Sequence, residues 1–265
     1  MLVEVVGGWL ANSLTLLADA GHMFLDATAL GLSWYSLKLS RRAQDHRLSY
    51  GYHRYQVLAA FINGILLFAL IAWILVEAYG RFQAPQPMLP IPALAVAALG
   101  LVVNLVAFRW LHHAEDNAAV RSAALHVIGD ILGSVSAIAA AAIVYFTGWL
   151  YADPLLALLV VVILGRGAWR VLKDSAHILL EGVPYGINLP EIAEALTRQV
   201  PEVRDVHHIH AWGLTAEKRL LTLHASVDEA NELGSLVTRL KAVLNDDFGI
   251  DHSTIQLEHG PCPED

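Results

Sequence analysis

A single cysteine, Cys262, stands among 265 residues. That excludes an internal disulfide framework and says little about redox compartment. Charge is scarce as well: Asp, Glu, Lys and Arg make up 16% of the chain, against about 25% in ordinary soluble domains. With 56% hydrophobic residues, this composition excludes a typical soluble globular domain and points to a membrane protein. Positive charge is the scarcer sign, the net charge being −8. No basic face is available to neutralise phosphates, so nucleic-acid binding is excluded. A cleavable signal peptide is not expected, because the first residues lack a basic stretch and a small-residue cleavage site.

What the chain has instead is long apolar runs. A membrane-spanning helix needs roughly 20 mostly apolar residues. Five stretches meet that length, near Leu14–Leu39, Val57–Tyr79, Ile91–Leu111, Ala118–Tyr145 and Asp153–Leu172. A sixth, Leu2–Leu10, is too short to span at about 1.5 Å per residue and reads as the second half of a helix whose beginning is missing. Residues 56–108 carry only Glu77 and Arg81, whereas residues 188–265 are dense in charged groups and histidine. The shift, punctuated by glycine and proline near Gly182–Asn188, divides the chain into a membrane part (1–175), a linker (176–187) and a soluble tail (188–265).

The connectors fix an orientation. Lys38, Arg41, Arg42, Arg47 and Arg54 follow the first full span, Arg109 and Arg121 flank a later loop, and Arg166, Arg170 and Lys173 end the last span. The Pro-rich stretch 84–92 holds no basic residue, and neither does 146–154. Basic and non-basic loops alternate, so the basic loops and the tail face the cytoplasm.

The tail has another rhythm. Pro190–Val200 and Glu232–Leu244 show helical spacing, while Val203–Leu214, Leu220–Val227 and Ser253–Glu258 read as strands. The order α-β-β-α-β implies a small α+β sandwich with helices on one face of a sheet.

Two motifs stand out in the apolar runs. "GHMFLDA" places His22 four residues before Asp26, and "HVIGD" places His126 four residues before Asp130. Four residues is just over one helical turn, so each pair shares a helix face. An ionisable group at the bilayer centre costs roughly 2.5–3.5 kcal/mol on insertion scales, which makes two such pairs a functional expectation. Brought together, the pairs offer two imidazole nitrogens and two carboxylates, a donor set suited to tetrahedral Zn²⁺. The absence of thiolate argues against Cu(I). Gly21, Gly129, Gly133 and Ser134 allow close helix approach. Asp19, Asn12 and Asn104 read as polar glue or helix-end residues.

"NSLTLLADAGHMFLDATALGLSW", "LHVIGDILGSVSAIAAA", "ADPLLALLV" and "DVHHIHAWGL" together resemble the cation diffusion facilitator family of zinc transporters, in particular its bacterial zinc-exporter branch. The resemblance runs from residue 5 to about residue 260. It implies an α-helical membrane bundle of six transmembrane helices, the first truncated here, followed by a cytoplasmic α+β metallochaperone-like domain, assembled as a homodimer. It also implies an integral protein of the plasma (bacterial inner) membrane that exports Zn²⁺ in exchange for protons by alternating access. Zn²⁺ is then both substrate and regulatory ion, no organic cofactor is involved, and the protein is not an enzyme. The implied transport ligands are His22, Asp26, His126 and Asp130. The implied cytoplasmic site is His207, His224 and Glu258.

For the cytoplasmic site the residues themselves carry part of the reading. His224 alternates with Leu223 and Ala225, and Glu258 follows Leu257, so both lie on the less apolar sheet face. His207, His208 and His210 populate both faces of the first strand, and His207 is chosen on resemblance alone. His208, His210, His252, His259 and Cys262 are further potential ligands, read more plainly as exposed or hydrogen-bonded. Asp45, His46 and His53 in the first basic loop do not reproduce cleanly a loop metal site that some relatives carry. His112 and His113, at a helix end, read as interfacial.

Rival functions fare worse. A zinc protease would need an open ligand position and a base, as in H-E-x-x-H, which is absent. A metal sensor anchored by helices gives the intramembrane pairs no role. A passive channel is poorly served by a tight four-ligand site.

Overall fold

A computed structural model describes residues 1–112, 118–227 and 233–259; the side chains of residues 111, 112, 118–123, 125 and 126 fall outside that description. Six helices come first: α1 (Leu2–Ala11), α2 (Leu14–Ser40), α3 (Arg54–Gln83), α4 (Pro90–His112), α5 (Ala118–Thr147) and α6 (Ala152–Leu179). The tail adds α7 (Leu189–Gln199), β1 (Val203–Gly213), β2 (Arg219–Val227), α8 (Leu233–Phe248) and β3 (His252–Glu258). The chain forms two compact units, one of Met1–Trp34 with Ala60–Leu172, the other of Tyr35–Ala59 with Lys173–Asp265. α6 runs on to Leu179, inside the stretch read as linker, and residues 35–59 group with the tail.

Among the described residues, four helices are long and apolar enough to cross a membrane, α3 to α6. α2 has 27 residues, about 40 Å at 1.5 Å per residue, but Asp19, His22, Asp26 and Lys38 dilute its apolarity. The outer surfaces of the helices are apolar: Val76 is 72% exposed and Trp110 76%. Large apolar side chains turned outward in such density suit lipid rather than water.

Small residues let the helices of this unit close up. Ala93 and Ala97 of α4, Ala137 and Ala141 of α5 and Ala11 of α1 pack with Leu16 of α2. The opposite side of α2, Leu14 and Ala18, packs with α3 and α6 through Leu67, Ile71, Ile74, Ala157 and Val161. α2 therefore lies between two apolar clusters, which fixes its rotation about its own axis.

A polar staple fixes its end. Asn12 adopts a left-handed conformation at φ 53° and ends α1. Asp153 of α6, 2% exposed, accepts from the Leu14 and Thr15 amides at 2.6 and 3.1 Å and from Ser13 Oγ at 2.8 Å. A carboxylate from a neighbouring helix thus satisfies the amides that begin α2 and complements its dipole. Arg81 of α3 completes the cluster, donating to Asn12 O at 2.7 Å, Asn12 Oδ1 at 2.9 Å and Asp153 Oδ2 at 3.3 Å.

In the other unit the sheet order is β1-β2-β3, with β1 and β2 antiparallel and β2 and β3 parallel. The expected α-β-β-α-β order is present; residue 232, the expected first residue of the second helix, lies outside the described residues. α7 starts with Pro190 in its first turn and Glu191 beside it, favourable choices at a helix N-terminus. α8 ends at Gly249, whose φ of 63° lets its amide reach Asn245 O and lets Ile250 reach back to Leu244 O. Ile192 and Leu196 of α7 and Leu236, Leu240 and Leu244 of α8 bury one sheet face, against Leu221, Leu223 and Ala225. The other sheet face is left to polar groups.

Candidate metal centres

The first centre is helical. His22 and Asp26 stand one turn apart on α2, with His22 Nε2 3.3 Å from Asp26 Oδ2. Asp130 of α5 comes in from the facing helix, its Oδ1 3.9 Å from the same nitrogen. One ligand atom from each of the three lies within 4.8 Å of the others. Asp130 is only 7% exposed. His126 lies one turn before Asp130 on α5, but its side chain falls outside the described residues. Asp19 packs over Gly133, where a Cβ would collide with its carboxylate. Its Oδ2 accepts from Ser134 Oγ at 3.4 Å, and that hydroxyl accepts from Asn104 Nδ2 at 3.3 Å. These contacts match the reading of Asp19 and Asn104 as glue between α2, α4 and α5, and the reading of Asn12 as a helix-end residue.

The second centre is built on the sheet. His207 lies opposite His224 across β1 and β2, and Glu258 opposite Ser226 across β2 and β3. Glu258 joins the two imidazoles, with Oε2 3.1 Å from His207 Nε2 and Oε1 2.9 Å from His224 Nδ1. These three also have ligand atoms within 4.8 Å of one another. Asp205 Oδ2 sits 2.8 Å from His207 Nδ1 and orients the ring; a carboxylate behind a ligand histidine is a frequent companion of metal sites. Burial is the largest single influence on His207 and pulls its pKa down, but the bonds to Asp205 and Glu258 outweigh it and the net shift is upward. Burial likewise pushes Glu258 up, yet Gln256 and the two histidines outweigh it and hold the carboxyl below its usual range. Two imidazoles and a carboxylate, one ring held by Asp205, suit a divalent, borderline-soft ion such as Zn²⁺.

Strict alternation along β1 would put His207 and His210 on opposite faces. A bulge intervenes: His207 pairs with His224 and His210 with Thr222, so three steps on β1 match two on β2. Both histidines consequently lie on the polar face. His208, inside the bulge, has φ 47°, and its ring stacks on His224 at 5.1 Å. The sequence signal was three histidines in four residues; it could not indicate the bulge.

The remaining sequence candidates separate. Asp45 accepts from the Arg47 and Leu48 amides, both at 2.9 Å, and from Tyr52 Oη at 2.6 Å. The Tyr52 bond is the main reason its carboxyl is held low. It organises a turn. His53 Nε2 accepts from Lys218 Nζ at 2.9 Å, and His46 is exposed. Asp45, His46 and His53 do not converge, and the described residues hold no third cluster of potential ligands. His252 and His259 are exposed, and Cys262 and His113 lie outside the described residues, as does the side chain of His112. Sequence reasoning missed the Arg81–Asp153 staple, although Arg81 is one of only two charged residues in 56–108.

Comparison with known proteins agrees along the whole chain. Residues 1–180 match the cation efflux transmembrane domain and residues 184–260 match the cytoplasmic domain of cation efflux proteins. The zinc transporter ZitB of Escherichia coli is 46% identical over 264 residues, covering 99% of this chain and 84% of that protein. The cadmium, cobalt and zinc/H(+)-K(+) antiporter of Bacillus velezensis is 37% identical, covering 97% and 84%. The metal-bound C-terminal domain of the CzcD transporter from Cupriavidus metallidurans is 36% identical over 27% of this chain and 99% of that domain, with a TM-score of 0.25. The tail is therefore cytoplasmic. The chain is an integral membrane protein belonging to the cation efflux family of transporters, its helical unit transmembrane and its α+β domain cytoplasmic.

Proposed function

We propose that this chain exports Zn²⁺ from the cytoplasm of a bacterium across the inner membrane, in exchange for protons, by alternating access. The observation that carries the proposal is the convergence of His22, Asp26 and Asp130 between α2 and α5, inside the apolar bundle. His126, one turn from Asp130, supplies the fourth ligand and completes a shell of two nitrogens and two oxygens. Relatives named as a zinc transporter and as a zinc/H(+)-K(+) antiporter support the substrate and the exchange.

Metal and protons compete for these ligands, since binding needs neutral imidazole and ionised carboxylate. From the cytoplasm, Zn²⁺ displaces protons from His22 and His126. The bundle then opens the site outward, protons reload the imidazoles, and the metal leaves. Histidine titrates near neutrality, which makes it a fitting exchanger. Residues 188–265 act as a metal-sensing and dimerisation domain, joined to the membrane part through the segment that follows α6. Zn²⁺ held by His207, His224 and Glu258 tightens a homodimer and biases transport, provided it binds one state better than the other.

The test is Zn²⁺ flux into proteoliposomes under an imposed pH gradient, comparing the chain with Asp130→Ala. Flux that depends on the gradient and is lost in the variant supports the proposal. Equal flux in both proteins, or flux indifferent to the gradient, sinks the paired site or the proton exchange respectively.

A further inference from the structure

We propose that His208 is a fourth protein ligand of the cytoplasmic metal site, closing a shell of three imidazoles and one carboxylate around a divalent cation. The inference rests on the reading of His207, His224 and Glu258 as metal ligands.

Three protein donors leave a tetrahedral ion with one open position, as in catalytic zinc sites, whereas sites that serve structure or regulation are closed. This domain has no reaction to perform, so a closed shell is the expected form. The residue that closes it is marked by the backbone. His208 sits at φ 47°, a left-handed conformation that few residues with a Cβ adopt and that tends to persist where function requires it. Without the bulge, position 208 would point to the face that α7 and α8 cover. With it, the imidazole is returned to the polar face, beside the other ligands. Its ring does not simply go to solvent: it is half-buried, near parallel to His224 at 5.1 Å and 23°, and edge-on to His207 at 5.6 Å and 75°. Three imidazoles therefore cluster, two of them directly on the Glu258 carboxylate.

The experiment uses the full chain in nanodiscs, carrying Asp26→Ala and Asp130→Ala so that the membrane site is silent. Zn²⁺ affinity is measured by competition with a chelator, and coordination by the visible absorption of bound Co²⁺. The parent should show the intense band of tetrahedral Co²⁺. His208→Asn keeps a residue that tolerates positive φ. It should weaken Zn²⁺ binding on the order of 10- to 100-fold and replace the tetrahedral band with a weaker one of higher coordination. His208→Gly, unstrained at this φ, should do the same, which guards against a folding defect in either variant. Parent affinity and parent spectrum in both variants would overturn the proposal, provided His224→Ala loses the metal. Unchanged binding in His224→Ala as well would overturn the underlying three-residue site, and the proposal with it.

Discussion

The two candidate metal centres use nearly the same donors on different backbones. In the membrane, candidate ligands sit on continuous helices, where a spacing of four residues alone puts His22 beside Asp26. In the cytoplasmic domain the candidate ligands come from three strands, and their meeting depends on register: His207 opposite His224, Glu258 beside them from β3. A helix carries its site as a rigid unit and can move it bodily. A sheet site responds to any slip between strands, since a one-residue shift would turn every ligand to the other face. The first arrangement suits a site that must be presented to two sides of a membrane; the second suits one that reports occupancy to its own domain.

The sharpest way to break this contrast is to remove one ligand from each centre and compare fluxes. Asp130→Ala should abolish transport in proteoliposomes. His224→Ala should leave transport running, reduced about 5- to 150-fold if the domain acts through an ordinary allosteric coupling. Equal and complete loss in both would mean that the cytoplasmic site lies on the transport path.

A second test concerns how the helical centre is held. Asp153→Ala would leave the amides that begin α2 without their acceptor and Arg81, its side chain 8% exposed, without its buried carboxylate. Breaking a buried pair from one side costs about 3–5 kcal/mol. Thermal unfolding in detergent should show the transmembrane unit melting earlier, while metal binding by the cytoplasmic domain is unchanged. Retained stability would show that α2 is positioned by packing against its two apolar clusters alone.

A smaller effect is expected for Gly133→Ala. The new methyl would collide with the Asp19 carboxylate, an overpacking that costs typically 1–3 kcal/mol. Flux should fall and the melting temperature with it. If neither changes, α2 and α5 can separate at no cost, and the fixed geometry of the helical centre is in doubt.

The smallest effect is on pH. The pKa of His207 lies above the ordinary histidine value of 6.5 in the folded, metal-free domain. The protonated ring therefore stabilises the fold most fully below about pH 6.5. That contribution is lost as pH rises through the raised folded value. Denaturation of the metal-free chain, followed through the cytoplasmic domain, should show a modest decline across that window, removed by His207→Ala. A decline that survives the substitution would assign the titration to another group.

The sequence by itself determined the membrane class, the presence of a separate α+β tail and the pairing of His22 with Asp26 on one helix face. Apolar runs of bilayer length need no tertiary information, and a spacing of four in a helix leaves little freedom over which residues share a face. It also located His224 and Glu258 on the polar face of their strands, because alternation is local. Only the tertiary structure decided which histidines of β1 join them, since a bulge depends on the pairing of two distant strands and leaves the composition of neither one altered. The same holds for Asp153, which reads locally as the start of its own helix. Its carboxylate serves instead the start of α2, 139 residues earlier, because a buried acceptor goes where unsatisfied amides are, and only packing brings them together.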